Sequence, residues 1–276
     1  MTEPFVQEHD QLLQLKPWVA DNKDLIAGFT TKNGGNSTGH FLSLNMGFHV
    51  PDLQEHVQKN RQMVAGILGV PLDSWVSSEQ VHEASIKKIT EEDKGKGARY
   101  LDTAIKSTDG LYTDQSNILL TSLYADCVPL YYRSKTKPFI GLAHAGWKGT
   151  VLGIGTKMLS IWEKEEQVPL DQIEVAIGPC ISQNAYEVDT YVAERVAAQF
   201  GEEQLKEVTV QTRPGHYLLD LRKLHYLRFL DYGLKKEQIY QSSFCTHDED
   251  SLFFSHRRDQ GKTGRLMSFI GRVVCK

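Results

Sequence analysis

The sequence predicts an α+β fold, with mixed β-sheets and helices packed outside them. Three observations carry this. Apolar, strand-like runs recur at residues 24–31, 117–125, 129–133, 138–145 and 174–181. Helical periods recur at 52–69, 149–165, 189–201 and 220–233. The two kinds are mixed without strict strand–helix–strand alternation, which argues against a purely parallel, doubly wound sheet. At 276 residues the chain has the length of about two average domains of ~150 residues. No repeat, low-complexity tract or linker divides it, so one domain over residues 1–276 is expected.

Each element has a local reason. DLIAGFTT at 24–31 alternates as a strand does. TKNGGNSTG at 31–39 must be a loop, since its paired glycines accept positive φ. Asp52 stands as an N-cap with Glu55 three residues on, the spacing of a capping box. Leu53, Val57, Val64, Ile67 and Leu68 then recur at helical spacing and Gly69 ends the helix, with Asn60 and Arg61 on its more polar side. Residues 73–90 read as two short strands or one bent strand, and the charged stretch 91–103 as the most mobile loop. The helix over 149–165 draws its apolar face from Val151, Leu152, Met158, Leu159 and Trp162. EVAIGPCI at 174–181 is a buried strand ending in a turn at Gly178–Pro179. Asp189 and Asp220 cap helices closed by Gly201 and Gly233. The runs QIYQSSF, SLFFSHRRD and GRLMSFIGRVV read as closing strands.

Composition excludes several function classes. A formal net charge of −4 without a basic stripe argues against a nucleic-acid polymer as partner. The N-terminal stretch lacks the basic, apolar and small-residue regions of a secretory leader. No apolar run reaches the ~18 residues of a membrane span, so a cytoplasmic location with no membrane partner is expected. Cys127, Cys180, Cys245 and Cys275 lie far apart with no C-x-x-C pair, which suits reduced, mostly buried thiols. No residue pattern specifies an oligomer; a homodimer is the assembly kept in view.

Chemistry concentrates in SLYADCVPLYY and GLAHAGWKGT, within residues 122–150. They place Cys127 and His144 on neighbouring strand-like runs. His82, in SSEQVHEASI, also stands in an apolar segment, with Gln80 on the same face if the segment is a strand. His9, His40, His56, His216 and His225 sit in polar or helical surroundings and read as surface residues. His82, Cys127 and His144 admit two chemistries. One thiolate and two imidazoles from different strands suit a catalytic zinc with an open position, and the same donors admit copper. Cys127 could instead be a nucleophile with His144 or His82 as its base. Asp126 would face away from Cys127 on a regular strand, so it reads as a structural capper before a catalyst. Glu79 and Glu83 should likewise point away from His82. Lys148, in the Gly-rich turn before a helix, is the natural anion contact. Arg61, Arg257, Arg258 and Arg265 are the other basic candidates, and RRD at 257–259 is the least easily explained as surface charge. C-x-H at Cys245 and His247 carries little weight.

The ordered motifs settle more than the spacing does. GFTTKNGGNSTGHFLSLNMGFHVPD, NR at 60–61, QVH at 80–82, ADCVPL at 125–130, AHAGWKGT at 143–150, IGPCI…YEV at 177–188 and FFSHRRD…TGR at 253–265 resemble the YfiH/YlmD-type "laccase domain" proteins over nearly the whole chain. HVPD and SHRRD depart from that family's commoner HVGD and SYRRD. The resemblance implies an α+β fold shared with toxin deamidases and a zinc site made by His82, Cys127 and His144, which would be both metal ligands and catalytic residues. It implies phosphorolysis of adenosine, inosine, guanosine and methylthioadenosine, with adenosine deamination beside it. The implied partners are purine nucleosides and phosphate. For phosphate, Arg61 and Lys148 are the candidates; for the purine or ribose, Asn45 and Gln80. The alternatives are a Cys-dependent amidohydrolase acting on a cell-wall precursor, a copper-dependent phenol oxidase and a zinc-stabilised binding module. The chain has no H-x-H pair, and such pairs are the usual ligands of a multicopper cluster.

Overall fold

The computed structural model describes residues 2–273. Cys275 lies outside them. The chain opens with strands β1 (Phe5–His9) and β2 (Leu12–Leu15), helix α1 (Lys16–Asp21) and strand β3 (Leu25–Thr30). Helix α2 (Gln54–Leu68) precedes three short strands, β4 (Trp75–Ser77), β5 (Ile86–Lys88) and β6 (Gly110–Thr113). The long apolar runs form β7 (Ile118–Tyr124), β8 (Val128–Ser134) and β9 (Ile140–Ala145). Helices α3 (Trp147–Val151) and α4 (Ile154–Lys164) lead to β10 (Ile173–Ile177) and β11 (Glu187–Asp189). Helices α5 (Thr190–Phe200) and α6 (Glu202–Val208) precede the hairpin of β12 (Thr209–Arg213) and β13 (His216–Leu219). Helix α7 (Leu221–Tyr232), β14 (Ile239–Gln241) and β15 (Leu266–Arg272) close the chain.

Two six-stranded sheets run β1-β2-β3-β15-β7-β4 and β14-β10-β8-β9-β6-β5, and a small sheet runs β11-β13-β12. Most pairs are antiparallel, but β4–β7, β5–β6 and β10–β14 are parallel. The fold is therefore α+β with mixed sheets, as the interleaved patterns predict.

Strand periodicity sorts the core into layers. On β7, Leu119 and Leu123 join the cluster under α2, while Ile118, Leu120 and Tyr124 enter the layer between the two large sheets. On β8, Leu130 and Tyr132 pack under α4 and α7, while Tyr131 joins the inter-sheet layer. Both faces of β7 and β8 are covered, which is why their sequences are continuously apolar. Each large apolar side chain sealed there contributes about 1.5–3 kcal/mol.

Several local expectations need correction. The Asp52–Glu55 capping box does not form: Leu53 occupies the N-cap, and Asp52 accepts from Leu53 N and Asn45 Nδ2 instead. The helix expected over 149–165 breaks at Gly153, whose φ of 75° ends α3 and starts α4. Residues 91–103 are anchored, because a capping box of Thr90 and Asp93 closes a turn over Glu91–Asp93 and Arg61 holds the Gly97 and Ala98 carbonyls. SLFFSHRRD forms turns, not a strand. His225 is buried against Thr150 Oγ1, not exposed. The caps at Asp189 and Asp220 and the stops at Gly69, Gly201 and Gly233 form where expected. Among the described residues no helix is long and apolar enough to cross a membrane.

Candidate active site

Register brings Cys127 and His144 together. In the antiparallel β8–β9 pair Val128 lies opposite Ala145 and Pro129 opposite His144. On β9 His144 shares its face with Ile140 and Leu142, which look into the inter-sheet layer, and Cys127 packs against that same layer from the bend just before β8. Asp126 takes a left-handed φ of 87°, so the chain is irregular between β7 and β8. Its carboxylate accepts from Thr246 Oγ1 (2.8 Å), Ser255 Oγ (3.1 Å) and Arg257 N (2.7 Å). That is the capping role expected of it.

His82 arrives differently. Residues 79–85 form no strand, and His82 sits at φ 62° in the connection between β4 and β5. Strand alternation therefore does not govern its neighbours. Glu79 lines the same cavity as His82, contrary to the expectation that it points away. Gln80 also reaches the wall, but its amide brackets Leu123, donating to the carbonyl and accepting from the N–H at 2.8 Å each.

The donor atoms of His82, Cys127 and His144 all lie within 4.8 Å of one another. The two imidazoles meet edge to face with centroids 4.7 Å apart. Burial by itself would raise the Cys127 thiol, but His144 and His82 outweigh it and bring the pKa down to about 6. Burial opposes the charge on His144 as well, yet Cys127 and Asp109 raise it to about 9. Without a metal, each of the two groups thus favours the charged form of the other, thiolate beside imidazolium.

The site also has room for a metal ion. A Cβ at Gly146 would stand 3.1 Å from His82 Cδ2 and 3.2 Å from Cys127 Sγ, so glycine there keeps both donors free. A Cβ at Gly149 would come within 2.9 Å of the Glu83 carbonyl, so that glycine lets α3 pack on the His82 turn. One sulfur and two imidazoles, with His144 Nδ1 bonded to the Asp109 carboxylate at 2.8 Å, are the donor chemistry of a zinc centre. Asp109 also accepts the main-chain N–H groups of Val81, His82 and Glu83. Sequence reading missed it; its one signal, an Asp before Gly ahead of an apolar strand, reads simply as a turn.

The donors line a cavity of about 800 Å³, which also takes in Tyr124, Tyr186 and Trp147 as aromatic surface. Lys148, Arg257, Arg265, His49 and His256 supply its basic and imidazole side chains. Lys148 lies inside the short α3, not in the turn before it, and its Nζ rests 5.8 Å from the Trp147 ring. Arg257 donates to the Glu187 carbonyl at 2.8 Å and lies over the Tyr186 ring. Arg265 donates to His49 Nε2 at 3.1 Å. Burial, with Arg265 and Arg61 nearby, lowers His49 to about 4, so its imidazole is neutral and accepts that bond. Arg258 instead holds the Thr246, His247 and Phe253 carbonyls.

Two expected substrate contacts do not reach the wall. Arg61 is 1 % exposed and donates to the Met46, Gly97 and Ala98 carbonyls at 2.7–3.0 Å, with its guanidinium over Phe48. Asn45 is fully buried between Asp52 and the N–H groups of Gly47 and Arg265. The Arg61 guanidinium is enclosed by those carbonyls and does not line the cavity. Both residues instead fix the segments that carry His49 and Leu101 to the cavity.

The chain matches known proteins over nearly its whole length. Residues 26–273 match the family described as multi-copper polyphenol oxidoreductase laccase. The purine nucleoside phosphorylase YlmD of Bacillus subtilis (strain 168) is 48 % identical over 272 residues, 97 % of each chain. The crystal structure of YlmD from Geobacillus stearothermophilus superposes with a TM-score of 0.94 at 43 % identity, covering 99 % of this chain and 100 % of that one. The hypothetical protein YfiH of Bacillus licheniformis gives 0.93 at 44 % identity, with 97 % and 98 % covered. The chain belongs to this laccase-domain family, in its YlmD-type branch.

Proposed function

We propose that the chain is a zinc-dependent purine nucleoside phosphorylase. Its substrates are adenosine, inosine, guanosine and methylthioadenosine, and adenosine deamination is a side activity of the same centre. The observation that carries this is one cavity holding the His82–Cys127–His144 donors together with the basic side chains of Lys148, Arg257 and Arg265. Relatives of nearly equal length bear the name purine nucleoside phosphorylase, which supports the same assignment.

The roles follow from the chemistry of the wall. Lys148, Arg257 and Arg265 would bind the phosphate dianion, where forked N–H donors and a point charge suit its oxygens. Neutral His49 would orient Arg265 without adding charge. The Trp147 and Tyr186 rings offer apolar faces to the purine. A phosphate oxygen attacks C1′, the C1′–N9 bond breaks with its electron pair left on the purine, and the proton given up by phosphate ends on the base. Zinc held by His82, Cys127 and His144 would supply a Lewis acid beside the bound nucleoside. The older copper-oxidase reading finds less support, because only one His/Cys/Asp/Glu group suited to an ion occurs among the described residues.

The test is to incubate metal-analysed protein with inosine or adenosine, with and without phosphate, and identify the products. Phosphate-dependent free base and ribose-1-phosphate, lost with a chelator and restored by zinc, is the expected result. Inosine formed from adenosine without phosphate would report deamination. An active metal-free enzyme that iodoacetamide inactivates would favour the Cys-dependent amidohydrolase instead.

A further inference from the structure

We propose that Asp109 is the positioning residue of the donor set: its one carboxylate fixes both the turn that presents His82 and the tautomer in which His144 presents Nε2. This rests on the zinc reading of the site.

The carboxylate is fully buried and every contact on it is a donor. Oδ1 accepts from His82 N (3.0 Å) and faces His144 Nδ1 (2.8 Å). Oδ2 accepts from Val81 N (3.2 Å) and Glu83 N (2.9 Å). Three consecutive main-chain N–H groups thus converge on one anion, a concave arrangement that binds negative charge. It compensates the left-handed φ of His82, which is uncommon for a residue other than glycine. The Asp109 carbonyl also accepts from His144 N at 2.8 Å, and Asp109 N donates to Ser85 O. The segment before β6 is therefore laced both to β9 and to the far end of the His82 turn. A carboxylate on Nδ1 keeps the proton there, so the neutral ring offers its lone pair at Nε2.

The same geometry says what a neutral isostere would do. An Asn side chain has one acceptor oxygen and one donor amide. With the amide at the Oδ1 position it faces His82 N–H and His144 Nδ1. His144 can then bond to it only by moving its proton to Nε2, which removes that atom as a ligand. With the amide at the Oδ2 position it opposes the N–H groups of Val81 and Glu83, and the His82 turn opens. Either orientation removes one imidazole from the set.

Zinc affinity, measured by competition with a chromophoric chelator, tests this on Asp109→Asn. The expected loss is about 10–100-fold, with a changed ¹⁵N tautomer signature for His144 or His82 in the zinc-loaded protein. Asp109→Glu keeps two acceptors and should recover part of that affinity; it carries the test if the Asn variant does not fold. Asp93→Asn is the control: Asp93 is also a buried carboxylate, held to Lys87 and Lys96, so its loss should lower thermal stability and leave zinc affinity within about twofold. Wild-type affinity and tautomers in both Asp109 variants would overturn the proposal. So would equal zinc loss in Asp93→Asn, which would mean a general effect of destabilisation. A wild-type chain that takes up no zinc would overturn the zinc reading itself, and the proposal with it.

Discussion

Two buried carboxylates, Asp109 and Asp126, organise two parts of the same cavity. Asp109 gathers three main-chain N–H groups and an imidazole, and its dependants are the candidate metal donors His82 and His144. Asp126 gathers two hydroxyls and the N–H of Arg257, and its dependant is the turn that carries His256 and Arg257 onto the wall. His144 is placed by the register of β9 against β8, and Cys127 stands on the bend that leads into β8. His82 and Arg257 lie on irregular backbone, where no ladder exists and an anion collects the free N–H groups instead. Loop-borne groups of this site are thus held by a different physical means from the strand-borne His144.

Substitutions can break that parallel. The largest effect is expected from Cys127→Ala, which removes the sulfur from the donor set. Zinc should fall to trace occupancy by elemental analysis, and inosine phosphorolysis below about one-thousandth of wild type. Retained wild-type cleavage would remove Cys127 from the site. Arg61→Ala comes next, as a structural change rather than a phosphate-site one. It leaves three carbonyls without their donor, and denaturant unfolding should show a loss of about 3 kcal/mol or more. The KM values for phosphate and nucleoside should move together; a selective rise for phosphate would return Arg61 to the role first expected of it. Asp126→Asn sharpens the comparison most directly. Asn tolerates the left-handed backbone, so the chain path survives while the charge holding Arg257 is lost. We expect a rise of about tenfold in the KM for phosphate with zinc content unchanged. Zinc loss there would merge the two carboxylates into one function.

The smallest effect concerns acid stability behind the Gly-Trp-Lys turn. Burial lowers His225 to about 3, while its Nε2 meets Thr150 Oγ1. Below about pH 6.5 the unfolded chain takes up a proton that the folded chain refuses until about pH 3. Stability from this group is therefore complete above that range and lost as the pH falls. His225→Gln should flatten the acid limb by about 2 kcal/mol between about pH 7 and about pH 5 in urea unfolding.

The local grammar of the chain was legible wherever it was self-contained. Asp189, Asp220, Gly69, Gly201 and Gly233 mark helix ends by rules that need only neighbours within one turn. The apolar runs of β7, β8 and β9 are readable because both their faces are covered. Helix α3 ended early because Gly153 takes a positive φ, a choice that spacing cannot reveal. The donor trio came from ordered motifs, since separations of 45 and 17 residues specify no site by themselves.

By itself, then, the sequence determined an α+β chain, its strands and capped helices, and a family whose motifs single out His82, Cys127 and His144. Tertiary structure alone decided which polar groups face the cavity. Arg61 and Asn45 look like substrate contacts because they are polar, yet their partners are carbonyls and amides up to 220 residues away. Glu79 lines the cavity because its segment is not a strand, and Asp109 matters because two distant histidines converge on it. The physical reason is the same throughout. Periodicity records which face of an element is apolar, whereas hydrogen-bond partners are chosen between elements, after they have packed.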